Sequence, residues 1–227
     1  MMDPTTPEPS TTPPDAKITI ASFVGQKGGV GKSALARVLA VAAAHQGKKV
    51  LIGDYDLEQL TCVEWGAARL RNGIEPEVEV RAFKSLKKLR KKVDGFDLVV
   101  VDTRGLADDF TEGISKESDI VFLPTGTSMD DLRPTIGLAK RLAHQSEATK
   151  KIMIVLSRTG RSERQVEQAL AFIERSGFEC LDVVWPQRDG FQSDFDIGKA
   201  GSESSNLFLK QAAQKMETAL LGCLHLL

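Results

Sequence analysis

From Lys17 to Trp185 the chain alternates short aliphatic runs with longer stretches whose apolar positions recur at helical spacing. The short runs are ITIASFV, KVLIGD, EVEVRAF, DLVVVD, DIVFLP, KIMIVLS and LDVVW, and the helical stretches are 32–46, 84–92, 130–145 and 162–176. This alternation predicts βα units feeding a mainly parallel central sheet. VLIGD, LVVVD and IMIVLS are apolar nearly throughout, as expected of strands covered by helices on both faces. With no internal repeat and no linker-like stretch, residues 17–227 read as a single α/β domain. Residues 1–16, MMDPTTPEPSTTPPDA, hold five prolines and almost no apolar surface to offset ordering, so they are expected to form a disordered tail. The tail carries Asp3, Glu8 and Asp15 but no Lys or Arg, and so has no basic finger to offer a phosphate site.

Composition narrows the picture. The formal net charge is −1 over 227 residues, so any attraction to nucleic acid or anionic lipid has to come from a local patch. Cys62, Cys180 and Cys223 are widely spaced and form no CxxC pair, which suggests packing residues rather than a disulfide framework or a zinc site. No run of ~18 apolar residues occurs, and the N-terminus lacks the basic start and apolar centre of a signal peptide. The expected setting is the cytoplasm.

The most specific chemistry follows the first apolar run. Gly25, Gln26, Lys27, Gly28, Gly29, Val30, Gly31, Lys32 and Ser33 lead into ALARVLAVAAA, giving the order strand, glycine loop, helix. Glycines let backbone N–H groups turn inward around phosphate oxygens, and the helix N-terminus adds a positive dipole. Gly28 to Ala34 would then cradle a nucleotide, with Lys32 meeting its β- and γ-phosphates and Ser33 ligating Mg²⁺. The fold class is accordingly a P-loop NTPase, with a nucleoside triphosphate and Mg²⁺ as ligands. Two carboxylate segments complete it. Asp54 and Asp56 lie at the end of KVLIGD, where strand ends line the ligand crevice, and share one face if the strand persists that far. Asp102 ends DLVVVD and reads as a carboxylate holding Mg²⁺ through water.

KGGVGKS at 27–33 resembles the deviant Walker A motif of the ParA/MinD family of P-loop ATPases, and the resemblance covers nearly all of 18–200. It implies that Lys27 crosses a homodimer interface to the phosphates of the partner's ATP. DYDLEQ resembles the family's DxDPQ segment, implying that Asp54 lies near Mg²⁺ and that Asp56 orients the attacking water; Leu57 and Glu58 depart from that pattern. DTRG at 102–105 departs from DTPG at Arg104, and Ser157 stands before Arg158 where the family has Asn. Pro124 and Asp131 match the family's strand-end proline and following loop and helix.

The branch within that family rests on charge. RAFKSLKKLRKK, residues 81–92, has seven basic side chains and no acid. On a helix Lys84, Lys87, Lys88 and Lys91 form one stripe, with Leu86, Leu89 and Val93 on an inward face. The stripe reads either as a solvated face or as a contact for DNA phosphates, doubled in a dimer. The C-terminal stretch has no Lys or Arg in its last eleven residues, which suits packing on the domain better than an anionic membrane. No cysteine falls between Cys62 and Cys180, unlike the iron-protein branch, and Tyr55 is the sole tyrosine, unlike the bacterial tyrosine kinases of this fold. The resemblance thus implies an ATPase that partitions DNA or another intracellular cargo, with nonspecific DNA and a hydrolysis-stimulating adaptor as partners. A membrane-cycling positioning ATPase, a metabolic ATP-dependent ligase of the same fold, and a nucleotide-binding adaptor that barely hydrolyses are the alternatives.

Overall fold

The computed structural model describes residues 18–105, 109–144 and 151–225; the expected tail lies outside them. Strand β1 (Thr19–Phe23) leads through the glycine loop into α1 (Lys32–His45), followed by β2 (Val50–Asp54), α2 (Thr61–Arg71), β3 (Glu79–Ala82) and α3 (Leu86–Arg90). Then come β4 (Leu98–Asp102), α4 (Asp109–Glu117), β5 (Ile120–Thr125), α5 (Met129–His144), β6 (Lys151–Thr159) and α6 (Glu163–Arg175). Two short strands, β7 (Glu179–Cys180) and β8 (Trp185–Pro186), precede α7 (Asp189–Asp196), a 3₁₀ turn (Gly201–Glu203) and α8 (Leu207–Leu224).

The sheet runs β3-β2-β4-β1-β5-β6-β7, with β8 beside β6, and every pairing among the described strands is parallel. The apolar runs are buried on both sides because each face carries its own helical layer. Val50, Ile52, Val100, Phe122 and Val155 point into a cluster shared with α1, α2, α7 and α8. Their sequence neighbours Leu51, Val99, Val101, Leu123 and Ile154 point the other way, into clusters under α3, α4, α5 and α6. After β1 the chain builds β2 and β3 on one side, and after β4 it crosses to β5 on the other. The strand order therefore reverses at β1, and the crevice at the carboxyl ends of β1, β2 and β4 is where such a fold takes ligands.

Several expected elements are corrected. The helix expected over 84–92 is a single turn, Leu86–Arg90; Lys84 precedes it and Lys91 is its C-cap, so no two-turn stripe exists. The inward face survives regardless, since Leu89 is buried and Leu86 and Val93 pack against its cluster. The strand expected over LDVVW is confined to Trp185 and Pro186, while Glu179–Cys180 supplies the edge strand instead. Helices α2, α4 and α7 go unseen in the periodicity because their buried positions are few. In α2 only Cys62, Trp65, Ala68 and Arg69 are buried, and one of them is charged. The C-terminal stretch packs on the domain as expected, through Leu209, Ala213, Met216, Leu220 and Cys223.

Candidate nucleotide and metal site

The phosphate loop leaves β1 at Val24, whose N–H donates to the Phe122 carbonyl (3.0 Å), and ends at Gly31, the α1 N-cap. Gly31 has φ 93°, a left-handed conformation that suits glycine, and any Cβ there would collide with the Ser157 hydroxyl. On the far side the segment after β4 lies directly on the loop. A Cβ at Gly105 would fall 2.6 Å from the Gly28 nitrogen, so the glycine of DTRG is required by contact between two backbones. Thr103 fixes that segment by donating its hydroxyl to the Phe23 carbonyl (2.9 Å). Arg158, at positive φ, closes the third side by donating to the Gly29 carbonyl.

Lys32 is buried and donates Nζ to the Lys27 carbonyl (3.0 Å) at the centre of this loop. Burial lowers its pKa, and Asp102 and Asp56 oppose that shift. Asp102 ends β4 level with Asp54 on β2 and Phe23 on β1. Burial raises the Asp102 carboxyl to about 6 and Asp54 adds to the rise, while Ser33, Cys62 and Lys32 pull it down. One oxygen accepts from the Cys62 thiol at 3.2 Å; the other, Oδ1, is buried without a hydrogen-bond partner among the described residues. A buried carboxylate oxygen left unpaired beside a serine hydroxyl fits the oxygen-ligand preference of Mg²⁺.

Asp54 and Asp56 do not share a strand face, because β2 ends at Asp54. Asp54 is fully buried and accepts from the N–H groups of Asp56 (3.0 Å), Cys62 (2.9 Å) and Val63 (3.2 Å). Its carboxylate therefore satisfies the open N-terminus of α2 and fixes the loop between. Candidate ligand atoms of Asp54, Cys62 and Asp102 nevertheless lie within 4.8 Å of one another. Asp56 sits in the loop, lines the cleft and accepts from the Gln59 N–H (3.1 Å).

Lys27 has a different partner from Lys32. Its Nζ lies 2.8 Å from Asp131 Oδ1 near the start of α5, and Ser128 donates to the other oxygen of that carboxylate (2.7 Å). Burial pushes the Asp131 carboxyl up, but the bonds from Lys27 and Ser128 outweigh it and hold the group below its usual range. The loop, Asp56, Thr103 and Gly105 border a cleft of about 450 Å³ that continues to Trp185–Asp189 and to Arg37 on α1. The Trp185–Asp189 side of that end belongs to VVWPQRDGFQSDFDIGKA, a segment that resembles the family's adenine-contacting part, whereas Arg37 belongs to no motif and is not legible in the sequence. Cys62 is missed for the same reason, meeting Asp102 across 40 positions. Lys84, Lys87, Lys88 and Lys91 are all exposed and take no part in the cleft.

A parallel, doubly covered sheet with a glycine loop and buried lysine at its switch point defines a P-loop nucleotide-binding protein. Residues 21–196 match the family described as the CobQ/CobB/MinD/ParA nucleotide binding domain, and the chain belongs to that family. Among relatives, it is 29% identical over 112 residues to Protein virC1 of Rhizobium radiobacter, covering 47% of this chain and 48% of that one. It thus spans about half the length of that relative. It is 27% identical to Maintenance of carboxysome distribution protein A of Gloeobacter kilaueensis, covering 81% of this chain and 93% of that one. Identity to Protein ParA of Rhizobium radiobacter is 25%, over 79% and 83%. In fold, the septum site-determining protein MinD of Pyrococcus horikoshii, solved with Mg-ADP, superposes with a TM-score of 0.70 at 20% identity, over 88% of this chain and 95% of that one.

Proposed function

We propose that this chain is an ATP-dependent dimerisation switch that hydrolyses ATP and partitions DNA, or another intracellular cargo, by holding nonspecific DNA in its ATP-bound state. The observation that carries this reading is the presence of two lysines on one phosphate loop with different partners. Lys32 is committed to the buried loop centre, whereas Lys27 is a half-exposed cation held by Asp131. A single lysine suffices to cradle phosphates in cis, which leaves Lys27 available for a second contact, and the family resemblance implies that this contact is the partner subunit's nucleotide. Membership of the family, and relatives named Protein ParA and Maintenance of carboxysome distribution protein A, support the same assignment.

In this reading Gly28 to Ala34 wrap the phosphates of ATP. Ser33 and Asp102, with Asp54 behind them, would hold Mg²⁺, which when bound offsets charge on the β- and γ-phosphates. Lys27 leaves Asp131 and crosses to the second subunit, and Asp56 accepts a hydrogen bond from the attacking water. Catalysis is positioning and charge stabilisation, slow until an adaptor completes the site. Lys84, Lys87, Lys88 and Lys91 contact DNA phosphates from the exposed segment around α3, and dimerisation doubles that patch. The setting is cytoplasmic. Among the described residues no helix is long and apolar enough to cross a membrane.

The test is binding to a nonspecific duplex with ATP or ADP at low and moderate salt, for the wild type and a Lys84, Lys87, Lys88, Lys91 to Glu variant. Salt-sensitive binding with ATP that the variant lacks is expected. Absence of wild-type binding with either nucleotide would sink the DNA-carrier reading.

A further inference from the structure

Strand β3 is the outermost strand beside β2, and no described strand covers its other side. Its register with β2, and the bond from Phe83 N–H to the Asp54 carbonyl (2.9 Å), turn the backbone of odd-numbered residues toward β2. The N–H and C=O groups of Val80 and Ala82 therefore face outward. Ala82 is exposed, Val80 is half-buried, and a groove of about 310 Å³ runs alongside, lined by Val63, Gly66, Ala67 and Leu70 of α2 and by Val78 and Val80. Leu70 is 72% exposed there. An open strand edge beside a groove that mixes these apolar side chains with Glu75, Glu77 and Glu79 is a template for another strand.

The charges along this edge say which strand. Acids come before its centre, at Glu75, Glu77 and Glu79, and bases after it, at Arg81 and Lys84. Glu79 and Arg81 pair within the chain on one face, each still about 40% exposed. A segment that is acidic in its first half and basic in its second is complementary to itself when run antiparallel. With a two-fold axis at Val80, Glu79 stands opposite Arg81 of a second copy and the reverse, giving four charges of alternating sign. The outward groups of Val80 then meet their own counterparts, and Val78 faces Ala82. Moving the axis to Arg81 sets arginine against arginine, and parallel pairing in register sets like charges together, so charge selects one arrangement.

We propose that the β3 edge is a self-association surface, on which a second copy of this chain adds its own β3 antiparallel about a two-fold axis at Val80. The surface lies on the side of the sheet, apart from the strand ends that carry the nucleotide cleft. It needs no nucleotide, and it links into larger assemblies any dimers formed across the cleft.

Sedimentation velocity of the full chain without nucleotide, at low salt and rising protein concentration, tests this. The wild type self-associates; Glu79→Lys weakens association about tenfold, because two like-charge contacts replace two ion pairs. Glu79→Lys combined with Arg81→Glu restores it. Both side chains are surface groups at an edge, and unchanged circular dichroism confirms that the variants fold. A wild type that stays monomeric throughout, a Glu79→Lys variant that associates as the wild type does, or a double variant that stays weak overturns the proposal.

Discussion

Three carboxylates around the loop have separable tasks at the scale of single residues. Asp54 is saturated by three backbone donors and supports α2, whereas Asp56 leaves its carboxylate at the cleft. Asp56→Ala is therefore expected to keep MgATP affinity while losing turnover by about 10²-fold or more, read by equilibrium binding and phosphate release. Comparable losses in both would instead make Asp56 part of the binding site. Asp131 holds Lys27 at 2.8 Å, so in the proposed switch it competes for that lysine. Asp131→Asn removes the charge that holds the lysine, and dimerisation with MgATP is expected at lower protein concentration than in the wild type, by light scattering. Lys27, Lys32, Ser33 and Asp102 could be picked out as candidates from the sequence because a glycine loop and a strand-end aspartate are contiguous signals. It hid Cys62 and Arg37 because their contacts exist only once α1, α2 and β4 are packed.

Among the elements, α2 and α8 both meet the 3₁₀ turn at Gly201–Glu203 through buried polar groups. Arg69 of α2 is 2% exposed and donates to the carbonyls of Pro76 and Gly198 and, through two nitrogens, to Glu203 of the 3₁₀ turn. Arg69→Met leaves the Glu203 carboxylate without its main partner, and a loss of about 3 kcal/mol is expected in urea unfolding. Glu217 of α8 lies beside that turn. Burial raises its carboxyl from 4.5 to about 7, with Ser202 opposing and Glu203 adding. The folded chain then binds this proton more tightly than the unfolded chain. Its contribution is present in full below 4.5 and is lost as pH rises through 7. Discounted for partial exposure, Glu217→Gln is expected to gain about 1–2 kcal/mol over wild type at pH 8 and little at pH 4.5, by denaturant titration at both. Equal gains at the two pH values would assign the effect to packing. Helical patterning revealed α5 and α6, which bury one face, and α1, which is buried without interruption from Leu35 to Ala44. It overextended α3, where alternating lysines mimic an amphipathic helix although only one turn forms.

For the whole molecule, the mainly parallel sheet covered on both faces was readable because strands such as VLIGD and LVVVD have no polar side to show to water. Strand order was not readable, since β1 gains β4 and β5 as neighbours through crossovers that leave no local trace. That order brings the loop, Asp54 and Asp102 to one crevice and leaves the lysines around α3 exposed on the sheet face over β2 and β4. Two surfaces follow, a nucleotide face at the strand ends and a charged edge at the side. The nucleotide face is predicted to control association, with the edge contributing at high concentration. The most direct test is the molar mass of the wild type and of Lys27→Ala, by sedimentation at moderate salt and low protein concentration, with Mg²⁺ and either ATP or ADP. The account predicts a wild-type dimer with ATP, a monomer with ADP, and a Lys27→Ala monomer that still binds ATP. A wild type whose mass is the same with both nucleotides, or a Lys27→Ala dimer with ATP, would contradict it.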